Sequence, residues 1–320
     1  MKKSFIAHLK RGERVDSDFL LQSKERRVAK NGSAYLDLEF RDASGSLRGK
    51  LWDCDRLKFD FEVDDIVHVT GCVEEFQGTR QISVQTIRKE TRDDLSLLDY
   101  LPRTERDPDQ MYVELLDRLR SLPEGPIQQL LLAVIEDPEI APKYKLAPAA
   151  VSLHHAFLGG LLEHVTSLWK LADKLCDHYP WLDRSLVLAG IVLHDLGKIE
   201  ELHFNRAFRY STRGQLLGHI VIALEIVRDK MRAIPDFPIS LKNQIEHIIL
   251  SHHGKLEFGS PKEPMFPEAL AVHYLDELDS KLESMHAQYE AEKDREGDWT
   301  SRNRSLGREL LKTSNHSPRE

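Results

Sequence analysis

Residues 34–42, AYLDLEFRD, alternate strictly, with Leu36, Leu38 and Phe40 on one side and Tyr35, Asp37, Glu39 and Arg41 on the other. A period of two marks a half-buried strand. A turn at Ala43-Ser44-Gly45 leads into SLRGKLWD, which alternates again, and IVHVTGCVEEF and TRQISVQTI form another pair across Gln77-Gly78. From about residue 15 to 90 the chain thus predicts five short strands. After residue 150 the period changes to that of helices, with apolar runs near 158–176, 185–196, 215–233, 240–251 and 267–286. Between the two lies a connector, residues 91–150, with helices expected over 93–101 and 108–122 and prolines at 123, 126, 138, 142 and 148 punctuating the rest.

Five strands in that order, with Gly71 in mid-strand to permit sharp coiling, fit a small closed barrel of the OB-fold type. The expected architecture is multidomain: an N-terminal all-β OB-fold barrel (1–90), a helical connector with the start of the helical domain (91–150), an all-α domain (151–290) and a charged C-terminal tail (291–320). The tail is Ser-rich and expected to be largely mobile, apart from Trp299, whose indole should have somewhere to dock. There are no internal repeats.

Composition narrows the class. A chain of 320 residues has room for two cores, and 41% hydrophobic with 31% charged residues describes a globular protein. No apolar run approaches the ~20 residues needed to span a bilayer, and the first apolar stretch, FIA, is too short for a secretory signal. Cys54, Cys72 and Cys176 are scattered, without a C-x-x-C pair, and read as small core residues of a cytoplasmic protein. The net charge of −8 argues against a strongly basic nucleic-acid coat, but it is unevenly spread: residues 1–90 hold 17 Lys and Arg against 16 Asp and Glu. Of the 15 histidines, 13 lie after residue 150. An acidic, His-rich second half suits a cation site, although surface carboxylates alone would also give the charge.

The segment LVLAGIVLHDLGK (186–198) carries the chemistry. Its helix is apolar enough to be buried, yet it ends in His194-Asp195, and a buried imidazole beside a carboxylate is costly unless both are satisfied, as by a metal. Neighbouring side chains diverge by ~100° on an ideal helix, so the pair can serve one ion only near a helix end, where Gly197 would let the chain turn away. His164 sits in an amphipathic helix, His219 opens a later one, and His252-His253 close another before Gly254. On the last helix His273, Asp276 and Asp279 repeat every three residues and share a face. Each has a bland alternative: a hydrogen-bonded histidine for His164 or His219, a helix C-terminus for His252-His253, a solvated face for the aspartates. His154-His155, in a loop before Gly159-Gly160, are weaker candidates. The joint pattern favours a metal site.

That pattern resembles the HD superfamily of metal-dependent phosphohydrolases. The longer phrases HHAFLGGLLEH, LVLAGIVLHDLGKIEEL, QLLGHI, SHHGKLEFGSPKEPMFPEALAVHYLDELDSK and GDWTSRNRSLGRELLK are similar to one branch, the YhaM-type 3′→5′ exoribonucleases, in which an OB-fold precedes the HD domain. The resemblance implies that His164, His194, Asp195 and Asp276 are core metal ligands, with His219, His252 and His253 as the additional ligands of two-metal members and Asp195 bridging the ions. Asp279 in place of Asp276, and only one of His252 and His253, remain open alternatives. Lys198 would face the scissile phosphate as a fixed cation, or else be a helix C-terminal lysine. Mixed His and carboxylate donors suit Mn²⁺, Fe²⁺ or Co²⁺ better than Mg²⁺, and the resemblance implies two ions, Mn²⁺ first.

Substrate grip is expected on the barrel. Arg48, Lys50 and Trp52 alternate onto one face of a strand, next to Tyr35 and Arg41 on its predecessor, and cations beside rings suit single-stranded nucleic acid. The alternative is that Trp52 and Tyr35 plug the barrel. Near-neutral charge here predicts weak, salt-sensitive binding with little sequence readout. The resemblance implies hydrolysis of single-stranded RNA, and of single-stranded DNA as a further substrate, to 5′-mononucleotides. Two other readings compete: an HD phosphohydrolase acting on a small nucleotide with the barrel as accessory, and a non-catalytic nucleic-acid-binding protein. A homo-oligomer would lengthen the short binding track of a single chain.

Overall fold

The computed structural model describes residues 4–29, 32–52, 54, 60–76, 78–92, 95, 99–150, 157–204, 208–293, 295–303 and 305–313. The chain divides into two compact units, the first of Met1–Arg103 with Phe204–Ala207 and the second of Thr104–His203 with Phe208–Glu320.

The first unit is a closed barrel of β1 (Arg14–Val28), β2 (Ala34–Asp42), β3 (Gly45–Trp52), β4 (Ile66–Phe76) and β5 (Thr79–Lys89), in the order β1-β2-β3-β5-β4. Antiparallel β1–β4 pairing closes it, and β3 and β5 pair in parallel. Inward residues follow the alternation of the sequence: Leu36, Leu38 and Phe40 of β2 and Leu47 and Leu51 of β3 are buried with Phe19, Val69 and Ile82. The ladder between β4 and β5 slips at Thr70/Gly71, so the mid-strand glycine marks a bulge. Of residues 93–101, where a helix was expected, 95 and 99–101 lie among the described residues and are not α-helical; Tyr100 and Leu101 are buried.

The second unit is helical: α1 (Pro108–Arg120), α2 (Pro126–Ile135), α3 (Ala141–Leu146), α4 (Gly160–His178), α5 (Arg184–Leu193), α6 (Lys198–Glu201), α7 (Thr212–Arg232), α8 (Ile239–Ser251) and α9 (Pro267–Ala291). A two-residue hairpin, β6 (Leu202–His203) with β7 (Arg209–Tyr210), links α6 to α7. The α5 run Leu186–Leu193 is buried throughout, as its uniformly apolar text requires, and packs against α2, α4, α8 and α9. It starts under an Asp183 cap whose carboxylate accepts from the Leu186 N–H. A central buried helix thereby delivers its C-terminal residues to the middle of the unit.

The described residues of the expected mobile tail are folded. Trp299 bridges Leu311 and Asn303 bridges Arg308, so the described residues after α9 form a hairpin-like turn with Thr300 and Leu310 buried. The Gln288 amide donates to the Ser301 carbonyl, and Glu292 accepts from the Ser301 N–H, fixing the turn to α9. Hydrogen bonds to polar side chains hold this segment, and hydropathy does not register them. The Trp299 indole stays half-exposed.

Candidate metal centre

Five helices bring the predicted residues together, with His164 on α4 and the others on or beside α5, α7, α8 and α9. His194 is the C-cap of α5, and the chain turns through residues 194–197 before α6, so His194 and Asp195 need not diverge as they would inside a helix. Gly197 acts differently from expectation. Its backbone is ordinary right-handed (φ −62°), but a Cβ there would overlap the carbonyl oxygen of His219. It is glycine so that α7 can lie against the HD turn. Gly218 does need its freedom: at φ 73° and ψ 161° it breaks α7, and His219 starts the new segment. His252 and His253 follow the end of α8, and α9 supplies His273, Asp276 and Asp279.

Every candidate histidine is oriented by its Nδ1. His194 donates to the Ile191 carbonyl (2.9 Å), His252 to Ile249 (2.8 Å), His253 to Phe258 (3.1 Å) and His273 to His252 (2.7 Å). Carbonyl oxygens only accept, so these Nδ1 atoms carry the proton. His164 Nδ1 faces Asp279 Oδ2 at 2.9 Å and His219 Nδ1 faces Glu201 Oε1 at 3.2 Å. That leaves the Nε2 atoms of His164, His194, His219, His252 and His253 as the ones that could meet a metal ion.

These atoms fall into two groups. His164 Nε2 lies 3.1 Å and His194 Nε2 3.9 Å from Asp276 Oδ1, and the three residues offer atoms within 4.8 Å of one another. His219, His252 and His253 form a second such group, with His219 Nε2 3.5 Å from His252 Nε2. Asp195 stands between them. Its Oδ2 is 3.3 Å from His194 Nε2 and 2.6 Å from Lys198 Nζ, while Oδ1 faces His219 (3.6 Å) and His252 (3.8 Å).

The electrostatics match. Burial would raise the Asp195 carboxyl, but Lys198 and His194 hold it well below the usual range. Burial would also raise Asp276, and His164 and His194 pull it down instead. Burial and the neighbouring His194 push His252 well down, and burial with His219 lowers His253, so both present neutral imidazoles. His194 Nε2 and Asp195 Oδ1 are buried without a hydrogen-bond partner. Orphaned buried atoms of this kind are rare, and both point where a cation would satisfy them. The donor set fits one or two divalent ions.

Asp279 is placed behind His164, with Asp276 in front. Lys198 stands in the single turn of α6 and lines the same cavity of about 620 Å³ as Asp195, His219 and Asp276. His154-His155 lie outside the described residues. Sequence reasoning missed Glu201, which is buried and accepts from the His219 N–H at 2.9 Å. Nothing in KIEEL marks which glutamate turns inward.

On the barrel, Trp52 pairs with Tyr35 and their rings lie 4.9 Å apart on the outer surface, Trp52 being 44% exposed, so they do not plug the interior. Lys50 Nζ lies 5.6 Å from the Tyr35 ring and 4.9 Å from that of Phe76. Arg48 is exposed on the same strand face. Arg41 differs, since its Nε is buried without a partner and burial lowers its pKa. Phe76 was missed, though it shares the outward parity of His68 and Glu74.

A family model of the HD domain matches residues 161–281, and one of an OB-fold nucleic acid binding domain matches residues 21–90. Fold and site therefore define a protein that joins an OB-fold to an HD domain. Over 306 residues the chain is 35% identical to the 3′-5′ exoribonuclease YhaM of Bacillus subtilis (strain 168), covering 94% of this chain and 95% of that protein. It is 35% identical to the YhaM of Bacillus velezensis over the same shares, and 34% identical to that of Listeria monocytogenes over 86% of this chain and 87% of the relative. The chain belongs to the YhaM family of 3′-5′ exoribonucleases.

Proposed function

We propose that this chain is a metal-dependent 3′→5′ exoribonuclease that hydrolyses single-stranded RNA, and single-stranded DNA as a further substrate, to nucleoside 5′-monophosphates. The observation that carries this reading is the Asp195 carboxylate set between two groups of metal-competent side chains on one open cavity.

In this reading His164, His194 and Asp276 would hold one ion, His219, His252 and His253 would hold a second, and Asp195 would serve both. When bound, divalent ions supply Lewis acidity at the scissile phosphate and lower the pKa of an attacking water. Imidazole-rich donors disfavour Mg²⁺, and the resemblance to the YhaM family implies Mn²⁺ first, with Fe²⁺ and Co²⁺ as alternatives. The residues themselves do the positioning. Carbonyls of Ile191 and Ile249 lock the His194 and His252 rings, and Asp279 and Glu201 lock His164 and His219. The Lys198 ammonium, 2.6 Å from Asp195, adds a fixed positive charge on the cavity wall where an anionic phosphate would lie.

The Tyr35–Trp52 ring pair with Lys50 and Arg48 is the face that receives the single strand, its rings serving bases and its cations phosphates, whereas the more buried Arg41 is less available. The free cysteines among the described residues fit a cytoplasmic setting, and no described helix is long and apolar enough to cross a membrane. Leu270, Tyr274, Leu278 and Leu282 form an exposed stripe on α9, and self-association would cover it; light scattering of the purified chain reads that state.

Product analysis tests the activity. Single-stranded RNA incubated with the chain and Mn²⁺ should yield nucleoside 5′-monophosphates. Nucleoside 3′-monophosphates, or oligonucleotides from internal cuts, would overturn the proposal.

A further inference from the structure

Two exposed aromatic rings stand on the rim of the catalytic cavity, and the chemistry described above uses neither. Tyr210 ends the β6–β7 hairpin and is 48% exposed; Phe258 closes the 3-10 turn Leu256–Phe258 after α8 and is 54% exposed. Both line the same cavity as Asp195, Lys198 and His253, together with the apolar side chain of Leu202. Its volume of about 620 Å³ lies within the range of small-ligand sites, larger than a phosphate needs.

Both rings are tied to the His219/His252/His253 group. The Phe258 carbonyl accepts from His253 Nδ1, so the residue that shows its ring to the cavity also sets the orientation of a candidate ligand. Tyr210 pairs with Leu202 across the hairpin, and the next residue, Ser211, donates its N–H to the carbonyl of Glu201, whose carboxylate holds His219. The rings are therefore fixed relative to the metal-competent atoms, although both are open to solvent. Lys255 Nζ lies 5.5 Å from the Phe258 centroid and 3.6 Å from Glu257 Oε1, so the Phe258 ring already carries a cation contact. Large apolar faces left open beside a polar, charged cavity need a flat apolar partner, and the nucleotide whose phosphate enters that cavity carries one.

We infer that Tyr210 and Phe258 form a base-binding subsite that stacks the 3′-terminal nucleobase while its phosphate lies at the metal centre; this rests on the exoribonuclease reading. Stacking on π-faces accepts any base, so the subsite holds the strand end without selecting sequence. It also gives the helical unit a grip on substrate separate from that of the barrel.

The test is a two-by-two comparison on the full chain with Mn²⁺. Phe258→Leu and Tyr210→Leu are assayed on a single-stranded RNA with an ordinary 3′ end and on the same RNA whose terminal sugar carries hydrogen in place of the base. On the ordinary RNA each variant should raise KM about 10-fold and leave kcat within about 2-fold. Wild type should show a similar rise on the abasic end, and there the variants should add less than about 2-fold. Phe258→Trp and Tyr210→Phe should behave as wild type, and an unchanged melting midpoint establishes that the leucine variants are folded. Equal losses on both RNAs, no loss on either, or a wild type indifferent to the missing base would overturn the subsite alone. A wild type that leaves both RNAs intact would bring down the exoribonuclease reading together with the subsite.

Discussion

Asp279 Oδ2 lies 2.9 Å from His164 Nδ1, on the edge of the ring away from Asp276. Burial pushes the His164 imidazole down, but hydrogen bonds to Asp276 and Asp279 overcome this and raise it to about 9 with no cation bound, so a metal at Nε2 would displace the proton shared with Asp276. The two aspartates of α9, three residues apart, are thus placed differently: Asp276 faces the cavity and Asp279 orients the His164 ring, helped by Ser167, which donates to its Oδ1 at 2.6 Å.

This division predicts different mutant behaviour. Asp279→Asn should weaken metal affinity about 10–100-fold, with activity returning at high Mn²⁺. Asp276→Ala should stay inactive at every metal concentration. Activity measured across a Mn²⁺ titration separates the two, and matching curves would contradict the assignment.

The close approach at Gly197 predicts a structural defect that reaches the site. An alanine Cβ would press on the His219 carbonyl oxygen and lie 2.8 Å from the Ala223 nitrogen. Both are backbone atoms, so α7 must move, at a cost of about 1–3 kcal/mol. Gly197→Ala should lower the melting temperature and reduce Mn²⁺ bound per chain, because His219 moves with α7. Thermal denaturation with metal analysis checks this, and unchanged values in both would refute the packing argument.

Much of this was legible in the residues. Strict alternation in β2 identified the barrel wall, because one face meets the core and the other water. The histidines were legible because each stands at a helix end or on the inner face of a long apolar helix. Glu201 was not, since two adjacent glutamates offer no signal of which one the β6–β7 hairpin turns inward. Gly197 was noticed for the wrong property: spacing suggests a turn, and only the fold reveals a neighbouring helix. The helix expected over 93–101 failed at its described residues, where Tyr100 and Leu101 are buried in a turn. The tail was misjudged because its order comes from the Glu292–Ser301 and Gln288–Ser301 hydrogen bonds.

Glu292 provides a pH test of that tail. Hydrogen bonds from the Ser301 hydroxyl and N–H hold its carboxyl down at about 2. A carboxyl lowered on folding stabilises the fold fully above its unfolded pKa of about 4.5, and that contribution is lost as pH falls toward about 2. Glu292→Gln should therefore cost about 1–3 kcal/mol near pH 7 and progressively less below pH ~4.5. Melting midpoints of both proteins at pH 7, 5 and 3.5 read the difference. A gap that stays constant or widens in acid would contradict the sign.

The outer barrel face makes a separate prediction. Trp52 is 44% exposed with its ring tilted against that of Tyr35, so Trp52→Ala should barely change stability but weaken binding of single-stranded RNA about 5–100-fold. Lys50→Gln should lower affinity and flatten the dependence of binding on salt by about one phosphate contact. Fluorescence anisotropy across a salt series, in EDTA to prevent turnover, measures both. Unaltered affinity in both variants would move the binding face elsewhere.

The most direct measurement is a time course on 5′-labelled single-stranded RNA with Mn²⁺, with EDTA, and with His194→Ala and Asp195→Ala. The arrangement around Asp195 predicts a ladder that shortens from the 3′ end only when metal is present and is missing in both variants. Labelled RNA left intact by a folded, Mn²⁺-loaded chain, or a ladder that persists in Asp195→Ala, would contradict it.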